Sequence, residues 1–267
     1  MKKKRAFTLS EVLVTTMLIG VIAALTIPFF VQEFRKQRWT VTYKRVFAET
    51  FNALTRVAMS EDCDKSLICT RIFDGGQSDS TTVFGDKMAE SLSLLKNCKR
   101  NMEDECFSHL VRVGLTGNSA PQSLRDTMTK DVNFEDAPGL ESFYTFITNR
   151  GVSYALLSFG NNCLADSTPT NQAYINAYVA NANDENNQML NLCGFIIVDV
   201  NGKQDPNRWG RDVFGLWITN RSVIGVYPFG GDNDLRFHGK CPIAGKENQD
   251  SRGCAAQLIK EGWAMKY

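Results

Sequence analysis

The sequence predicts an α+β protein, in which a long N-terminal helix precedes a head built on an antiparallel sheet. Three observations support this fold class. Twenty uncharged residues, Val12 to Val31, lie near the start of the chain and are followed by a helical apolar stripe. Short apolar runs separated by turn residues occupy the second half. All eight cysteines follow the uncharged stretch, which is typical of a disulfide-bonded domain outside the cytoplasm.

Composition excludes several classes of function. The 267 residues are 43% hydrophobic and 22% charged, which fits one or two globular domains. A net charge of +1 gives no reason to expect sequence-specific nucleic-acid binding. His109 and His238 are the two histidines, and we expect each to be structural or solvated. The motifs of phosphate-binding loops, serine hydrolases and zinc proteases do not occur, so no enzyme is expected.

The uncharged stretch has the length of a membrane span. A transmembrane helix needs about 20 apolar residues, and Val12 to Val31 supplies that number. The basic residues Lys2 to Arg5 should stay in the cytoplasm and direct the following chain outward. Conventional signal peptides have an apolar core of about 7–15 residues and a small-residue cleavage site after it. Neither feature occurs here, so removal as an ordinary signal peptide is not expected.

Two residues are unusual for a plain membrane anchor. Glu11 begins the apolar segment, where burying a carboxylate in lipid costs about 2.5–3.5 kcal/mol. Pro28 removes a backbone hydrogen bond and loosens or kinks a helix. Taken singly, each residue has a simpler explanation: Glu11 could lie at the membrane–water interface, and Pro28 could be a kink that the membrane helix tolerates.

Taken together, these residues belong to a recognisable N-terminal pattern. The stretch AFTLSE, Ala6 to Glu11, behind a short basic leader and before an apolar run, resembles the signature of type IV pilins and pseudopilins. The resemblance implies that a prepilin peptidase cuts between Ala6 and Phe7 and that the amine of Phe7 is then methylated. Glycine usually precedes the cut in this family, where the present chain has Ala6. Glu11 becomes the fifth mature residue, and Gly20 and Pro28 occupy helix-loosening positions used in assembly.

The resemblance also implies a function and partners. The chain is expected to have a pilin-like fold and to be a structural subunit of a type IV pilus-like or type II secretion filament: a major pilin, a minor pilin or a pseudopilin. Its partners would be prepilin peptidase, other pilin or pseudopilin subunits and the inner membrane. The precursor would lie in the inner membrane with its head outside the cytoplasm, and then enter an extracellular or periplasmic filament. The alternative is a membrane-anchored extracellular binding domain or enzyme that does not polymerise.

The apolar helix should continue past the membrane. Tyr43, Phe47, Thr50, Leu54 and Val57 recur at intervals of four and three residues and form one helical stripe. Since neither Gly nor Pro occurs between residues 31 and 60, one continuous helix is favoured over a separate core helix after a linker. The expected organisation is a leader at 1–6, a transmembrane assembly helix at 7–31, its amphipathic continuation at 32–60 and a disulfide-bonded head at 61–267.

Further along, apolar spacing and turn residues predict the elements of the head. Residues 161–191 are polar and Asn-rich, and we expect a surface excursion there. The predicted elements are a helix from Phe84 to Leu95, a hairpin of residues 143–148 and 152–159, a strand of residues 195–200 that ends at Asn201-Gly202, and a hairpin of residues 213–219 and 222–227.

The cysteines are expected to form disulfides between neighbours in sequence. Eight cysteines allow 105 pairings, but each consecutive pair brackets a loop-like stretch. No zinc site is expected, because the chain lacks a C-x-x-C pair and is poor in histidine. The resemblance favours the last pair in particular, since pilin-like proteins often close a C-terminal loop in this way. The candidates are Cys63, Cys69, Cys98, Cys106, Cys163, Cys193, Cys241 and Cys254.

One turn concentrates oxygen-bearing side chains. It resembles a DxNGxxxPNxxGxD stretch found in the heads of some pilin-like proteins. Calcium prefers six to eight oxygen ligands, and this turn offers five side chains but no glutamate to complete an EF-hand loop. The turn is therefore either a plain hydrogen-bonded turn or a calcium site, the one cofactor that the sequence suggests. The candidate ligands are Asp199, Asn201, Asp205, Asn207 and Asp212.

Overall fold

The computed structural model divides the chain into two compact units, residues 1–38 and 39–267. The leader, with Ala6 and Phe7, lies outside the described residues. The structure describes residues 8–64, 66–67, 69–100, 103–116, 119–129, 143–160, 163, 175, 179, 184, 187, 189–221, 223–232, 241–242 and 250–267.

Helix α1 runs without interruption from Leu9 to Ser60 and contains Pro28. The prediction of a continuous helix to residue 60 is therefore confirmed. Within the second unit, its predicted stripe faces the core: Tyr43, Leu54 and Val57 are buried. The ring of Tyr43 stacks on Phe214 with their centroids 4.3 Å apart.

The remaining elements alternate short helices with antiparallel strands. The central sheet of the described residues has six strands in the order β1-β4-β5-β6-β7-β8, and β2 pairs with β3 separately. The fold is therefore α+β with a pilin-like architecture, as predicted. The elements are α2 (Gln77–Ser91), β1 (Leu94–Lys99), α3 (Glu103–Cys106), β2 (Leu110–Arg112), β3 (Pro121–Ser123), α4 (Leu124–Thr129), β4 (Tyr144–Thr148), β5 (Ser153–Ser158), β6 (Leu192–Asp199), β7 (Val213–Arg221), β8 (Val223–Pro228) and α5 (Cys254–Lys260).

Both predicted hairpins are present. Strands β4 and β5 pair through a turn in which Gly151 has a φ of +77°, a conformation that favours glycine. Strands β7 and β8 pair over a longer range than predicted, because β7 continues to Arg221. Most of the predicted surface excursion at 161–191 lies outside the described residues.

The second helix differs from its prediction. The sequence predicted a helix from Phe84 to Leu95, whereas α2 ends at Ser91 and the chain then forms β1. Leu95 is 71% exposed on that strand. The predicted start was too late because the first turns of α2 are polar and give no apolar spacing. The predicted end was too late because residues 94–99 form β1, which is fixed by pairing with β4, about 50 residues later in the sequence.

The two faces of the sheet are covered differently. Tyr154 and Phe214 lie on the face that packs against α1, where Tyr154 also stacks on Phe146 at 5.0 Å. The opposite face carries an aromatic cluster in which Trp217 contacts Phe195 and Phe229, with centroids 5.7 and 4.3 Å away. Because both faces are covered, β5 and β6 are buried along their whole length.

All eight cysteines are bonded to their nearest neighbours in sequence, and none is free. The longest loop, between Cys163 and Cys193, spans 30 residues. The bridges are Cys63–Cys69, Cys98–Cys106, Cys163–Cys193 and Cys241–Cys254.

Candidate functional site

The first part of α1 exposes its apolar side chains on all sides. Fifteen of the twenty-one exposed large hydrophobic residues among the described positions lie between Leu9 and Phe34. Their exposed fractions reach 80% at Leu9 and 75% at Leu25. Among the described residues, α1 is the helix long and apolar enough to cross a membrane. An apolar surface of this kind is stable only in lipid or against other helices.

Glu11 is held by the N-terminal turn of its own helix. Its Oε2 atom accepts hydrogen bonds from the backbone N–H and the hydroxyl of Thr8 at 2.8 and 2.9 Å. The Glu11 N–H donates in return to the Thr8 hydroxyl at 3.2 Å. This is a capping box, which satisfies donors that the helix itself leaves unpaired. The carboxylate therefore has local partners and remains exposed.

The two predicted helix-loosening residues also lie on this exposed segment. A Cβ added to Gly20 would meet no atom within 4 Å. Pro28 lies inside the helix and has no N–H for the carbonyl four residues earlier. Both residues therefore lie in the part of α1 whose apolar side chains are exposed, and α1 is continuous through them.

A second site lies in the loop that joins β6 to β7, residues 199–212, which we call the oxygen-lined loop. Asp199 ends β6 and Asp212 immediately precedes β7, and the side chains of both are fully buried. Asn207 is also buried and Asn201 is half-buried. Four of the five predicted calcium ligands are thus brought together away from bulk solvent.

Backbone N–H groups position the two buried carboxylates. Asp212 accepts hydrogen bonds from the N–H groups of Asn207 and Arg208 at 2.9 and 2.7 Å. Asp199 accepts one from the N–H of Asn201 at 3.2 Å. The loop backbone therefore wraps around the carboxylates, and their oxygen atoms point into it.

The two asparagine amides use their nitrogen atoms and leave their oxygen atoms without donors. Asn201 Nδ2 donates to the carbonyls of Gln204 and Asp205 at 2.9 and 3.2 Å. Asn207 Nδ2 donates to the carboxylate of Asp205 at 3.4 Å, and that carboxylate is exposed. The Oδ1 atoms of both asparagines and Oδ2 of Asp199 are buried and accept no hydrogen bond from the described residues.

Burial raises the pKa of both carboxyl groups, and the charge of Asp212 acts in addition on Asp199. The pKa of Asp199 is raised well above its ordinary value, first by desolvation and then by the nearby charge of Asp212. Desolvation raises the pKa of Asp212 to about 6, although N–H donors and the side chain of Asn201 lower it in part. These interactions show that Asp199, Asp212 and Asn201 lie beside one another.

The oxygen-lined loop is also attached to β2. The guanidinium of Arg208 donates to the carbonyl of Gly114 at 2.7 Å. The N–H of Arg112 donates to the carbonyl of Asn207 at 2.9 Å, and the N–H of Trp209 donates to the carbonyl of Arg112 at 3.0 Å. The conformation of the loop therefore determines how β2 and the residues after it are held.

Sequence reasoning missed two residues of these sites. Thr8 had a readable signal, because Thr-x-x-Glu before an apolar run is the capping-box pattern. Arg208 had no such signal, since its role depends on carbonyls about 90 residues earlier in the chain.

His109 and the tryptophans lie outside these two sites or in the core. His109 is exposed, whereas His238 lies outside the described residues. Trp209 and Trp217 are core residues, and Trp263 is half-buried.

Comparison with known proteins identifies the N-terminal segment. Residues 1–27 match the profile of the prokaryotic N-terminal methylation motif, which is the signature of type IV pilins and pseudopilins. No curated protein and no solved structure is significantly similar to the chain. The motif points to a structural subunit that is processed by prepilin peptidase.

Proposed function

We propose that this chain is a prepilin, the membrane-anchored precursor of a subunit in a type IV pilus-like or type II secretion filament. The observation that carries the proposal is the methylation motif at residues 1–27, which overlaps the exposed apolar part of α1. A motif for processing and a helix that needs apolar partners occur in the same segment. A subunit that leaves the bilayer to join other helices requires both.

Processing would separate the leader from the helix. The cut falls between Ala6 and Phe7, and the new amine of Phe7 is methylated at the cytoplasmic face of the membrane. Residues 1–6 are then the leader, 7–31 the transmembrane assembly helix, 32–60 its continuation and 61–267 the head. A head of this length is large for a minimal subunit, which favours a minor or specialised role.

Assembly would transfer the apolar helix from lipid to neighbouring helices. Each large apolar side chain that leaves water contributes about 1.5–3 kcal/mol, but lipid and packed helices are similarly apolar. Apolar contact alone therefore does not specify the register of the helices. A charge pair between Glu11 and the amine of Phe7 in an adjacent subunit would specify this register. Buried charge pairs contribute little net stability, but they are known to set the register between helices.

Processing can be tested with matched variants at residue 6. The full chain is co-expressed with a prepilin peptidase, and its N-terminal peptide is identified by mass spectrometry. The wild type and Ala6→Gly should both begin at methylated Phe7, because a small residue precedes the cut. Ala6→Ile should keep the leader. Intact Met1 in the wild type, or a cut after Val31, would contradict the proposal.

Assembly separates a filament subunit from a tethered domain. Surface filaments are sheared from cells that carry the chain, and their subunits are identified by mass spectrometry. A prepilin should appear in the sheared fraction only in cells that have the peptidase. A chain that is processed but enters neither the sheared filaments nor a filament isolated from the periplasm would favour the non-polymerising alternative.

A further inference from the structure

The oxygen-lined loop contains buried acceptors that the protein itself does not satisfy. Oδ2 of Asp199 and Oδ1 of both Asn201 and Asn207 lack a hydrogen-bond donor among the described residues. Buried polar atoms usually have a partner, because leaving one without any costs about 1–3 kcal/mol. Three such atoms in one loop, all of them acceptors, indicate that a hydrogen-bond donor or a cation belongs there.

Rotating the asparagine amides would not remove this deficit. Nδ2 of Asn201 already donates to two backbone carbonyls, those of Gln204 and Asp205. A rotation would place Oδ1 against these carbonyls and lose both bonds, since oxygen cannot donate to oxygen. Nδ2 of Asn207 is likewise directed at acceptors. The amide oxygen atoms are therefore fixed in the orientation that lacks a donor.

The chain does not supply the missing charge with a basic side chain. Among the described residues, no ion pair joins a lysine or arginine to Asp199 or Asp212. Arg208 lies near Asp212, but its guanidinium donates to the carbonyls of Gly114 and Thr116. A cation from solution would balance these carboxylates in their charged form.

The ligand set identifies the type of cation. No group of three or more His, Cys, Asp or Glu side chains placed to hold a metal occurs among the described residues, so a site in this loop depends on amide oxygens beside two carboxylates, a ligand set that hard cations accept. Calcium accepts mixed oxygen ligands in irregular geometry, whereas magnesium demands a near-ideal octahedron. We propose that the oxygen-lined loop binds one calcium ion through Asp199, Asn201, Asn207 and Asp212.

The same ion would control how β2 is attached. Asn207 contributes an amide oxygen to the proposed site, and its carbonyl accepts the N–H of Arg112. Arg208 follows it and holds the carbonyl of Gly114. A bound ion that fixes the loop thus also fixes residues 112–114. This proposal is independent of filament assembly, because none of its residues belongs to α1.

Calcium binding can be measured on the processed full-length chain in detergent micelles. Isothermal titration with calcium chloride should show one ion per chain, and calcium should raise the Tm relative to the protein in EGTA. Hydrogen exchange at residues 112–114 should slow when calcium is added. Magnesium at the same concentration should give a clearly smaller shift of Tm.

Two variants in the same loop give a matched comparison. Asp199→Asn preserves the shape of a buried ligand and removes its charge, so calcium affinity should fall by at least about tenfold. In EGTA this variant should melt no lower than the wild type, because a buried carboxylate without a cation is unfavourable. Asp205→Asn removes the charge of an exposed side chain but keeps an oxygen that can accept from Nδ2 of Asn207, so this variant should bind calcium as the wild type does.

Three outcomes would overturn the proposal. The first is an absence of both binding heat and any calcium-dependent shift of Tm in the wild type, which would leave a plain hydrogen-bonded turn. The second is a shift of Tm with magnesium that is as large as the shift with calcium. The third is an equal loss of affinity in Asp205→Asn and Asp199→Asn, which would indicate general attraction by negative charge in place of a built site.

Discussion

Removal of the Cys163–Cys193 bridge should destabilise the head more than removal of the Cys98–Cys106 bridge. All four cysteines are buried, so double alanine variants of the two bridges lose similar packing. They differ in the length of chain that each bridge closes, with sequence separations of 30 and 8 residues. The comparison therefore isolates the effect of loop length.

Loop-closure entropy gives the expected magnitudes. A bridge that closes the longer loop contributes about 3.7 kcal/mol and the shorter one about 2.6 kcal/mol. The expected difference in the free energy of unfolding is about 1 kcal/mol. For a domain of this size, each kcal/mol lowers the Tm by about 2–4 °C. The longer-loop variant should then melt about 2–4 °C below the shorter-loop variant.

Guanidinium unfolding under non-reducing conditions measures these energies. The fluorescence of Trp209 and Trp217 reports the transition, because both side chains are fully buried in the native head. Thiol titration under denaturing conditions checks the pairing first, since the wild type and both double variants should show no free thiol. Two thiols in either variant would contradict the pairing, and an equal or reversed order of stability would contradict the loop-length argument.

Three further changes test other parts of the molecule. Gly85→Ala should lower head stability by at least about 1–3 kcal/mol in thermal unfolding, because the added Cβ would lie 2.1 Å from the ring of Tyr144. Asp250→Asn should cost about 1.5–3 kcal/mol in guanidinium unfolding, because it removes the carboxylate that accepts hydrogen bonds from the guanidinium of the buried Arg252. Glu11→Gln should abolish filaments but preserve cleavage and head melting, because the carboxylate is exposed and its hydrogen bonds to described residues lie within its own helical turn.

Each of these changes has a control or a contrary result. Gly20→Ala should leave head stability unchanged, since its new Cβ meets no atom. Thr8→Ser keeps the hydroxyl that binds Glu11, so filament yield should match the wild type. Unaltered stability in Asp250→Asn would show that its ion pair contributes nothing. Wild-type filament levels with Glu11→Gln would refute the proposed charge pair.

Features encoded by contiguous residues could be predicted from the sequence. The processing motif occupies residues 1–27, and the continuous helix follows from apolar spacing and the absence of helix breakers after Pro28. Gly151 located the first hairpin, because a positive φ at one position joins two neighbouring strands, whereas residues 220–221, between the predicted strands of the second hairpin, belong to β7. The nearest-neighbour pattern of bridges was also expected from the loop-like stretches between cysteines.

Features that depend on distant partners were decided only by the tertiary structure. Strand β1 exists because β4 pairs with it, and local apolar spacing favoured a helix at Leu95. The sequence listed five oxygen-bearing side chains without ranking them. The fold buries Asp199 and Asp212 at adjacent strand ends and leaves Asp205 in solvent. Burial determines which of these oxygen atoms lack donors, and burial arises from the packing of the whole sheet.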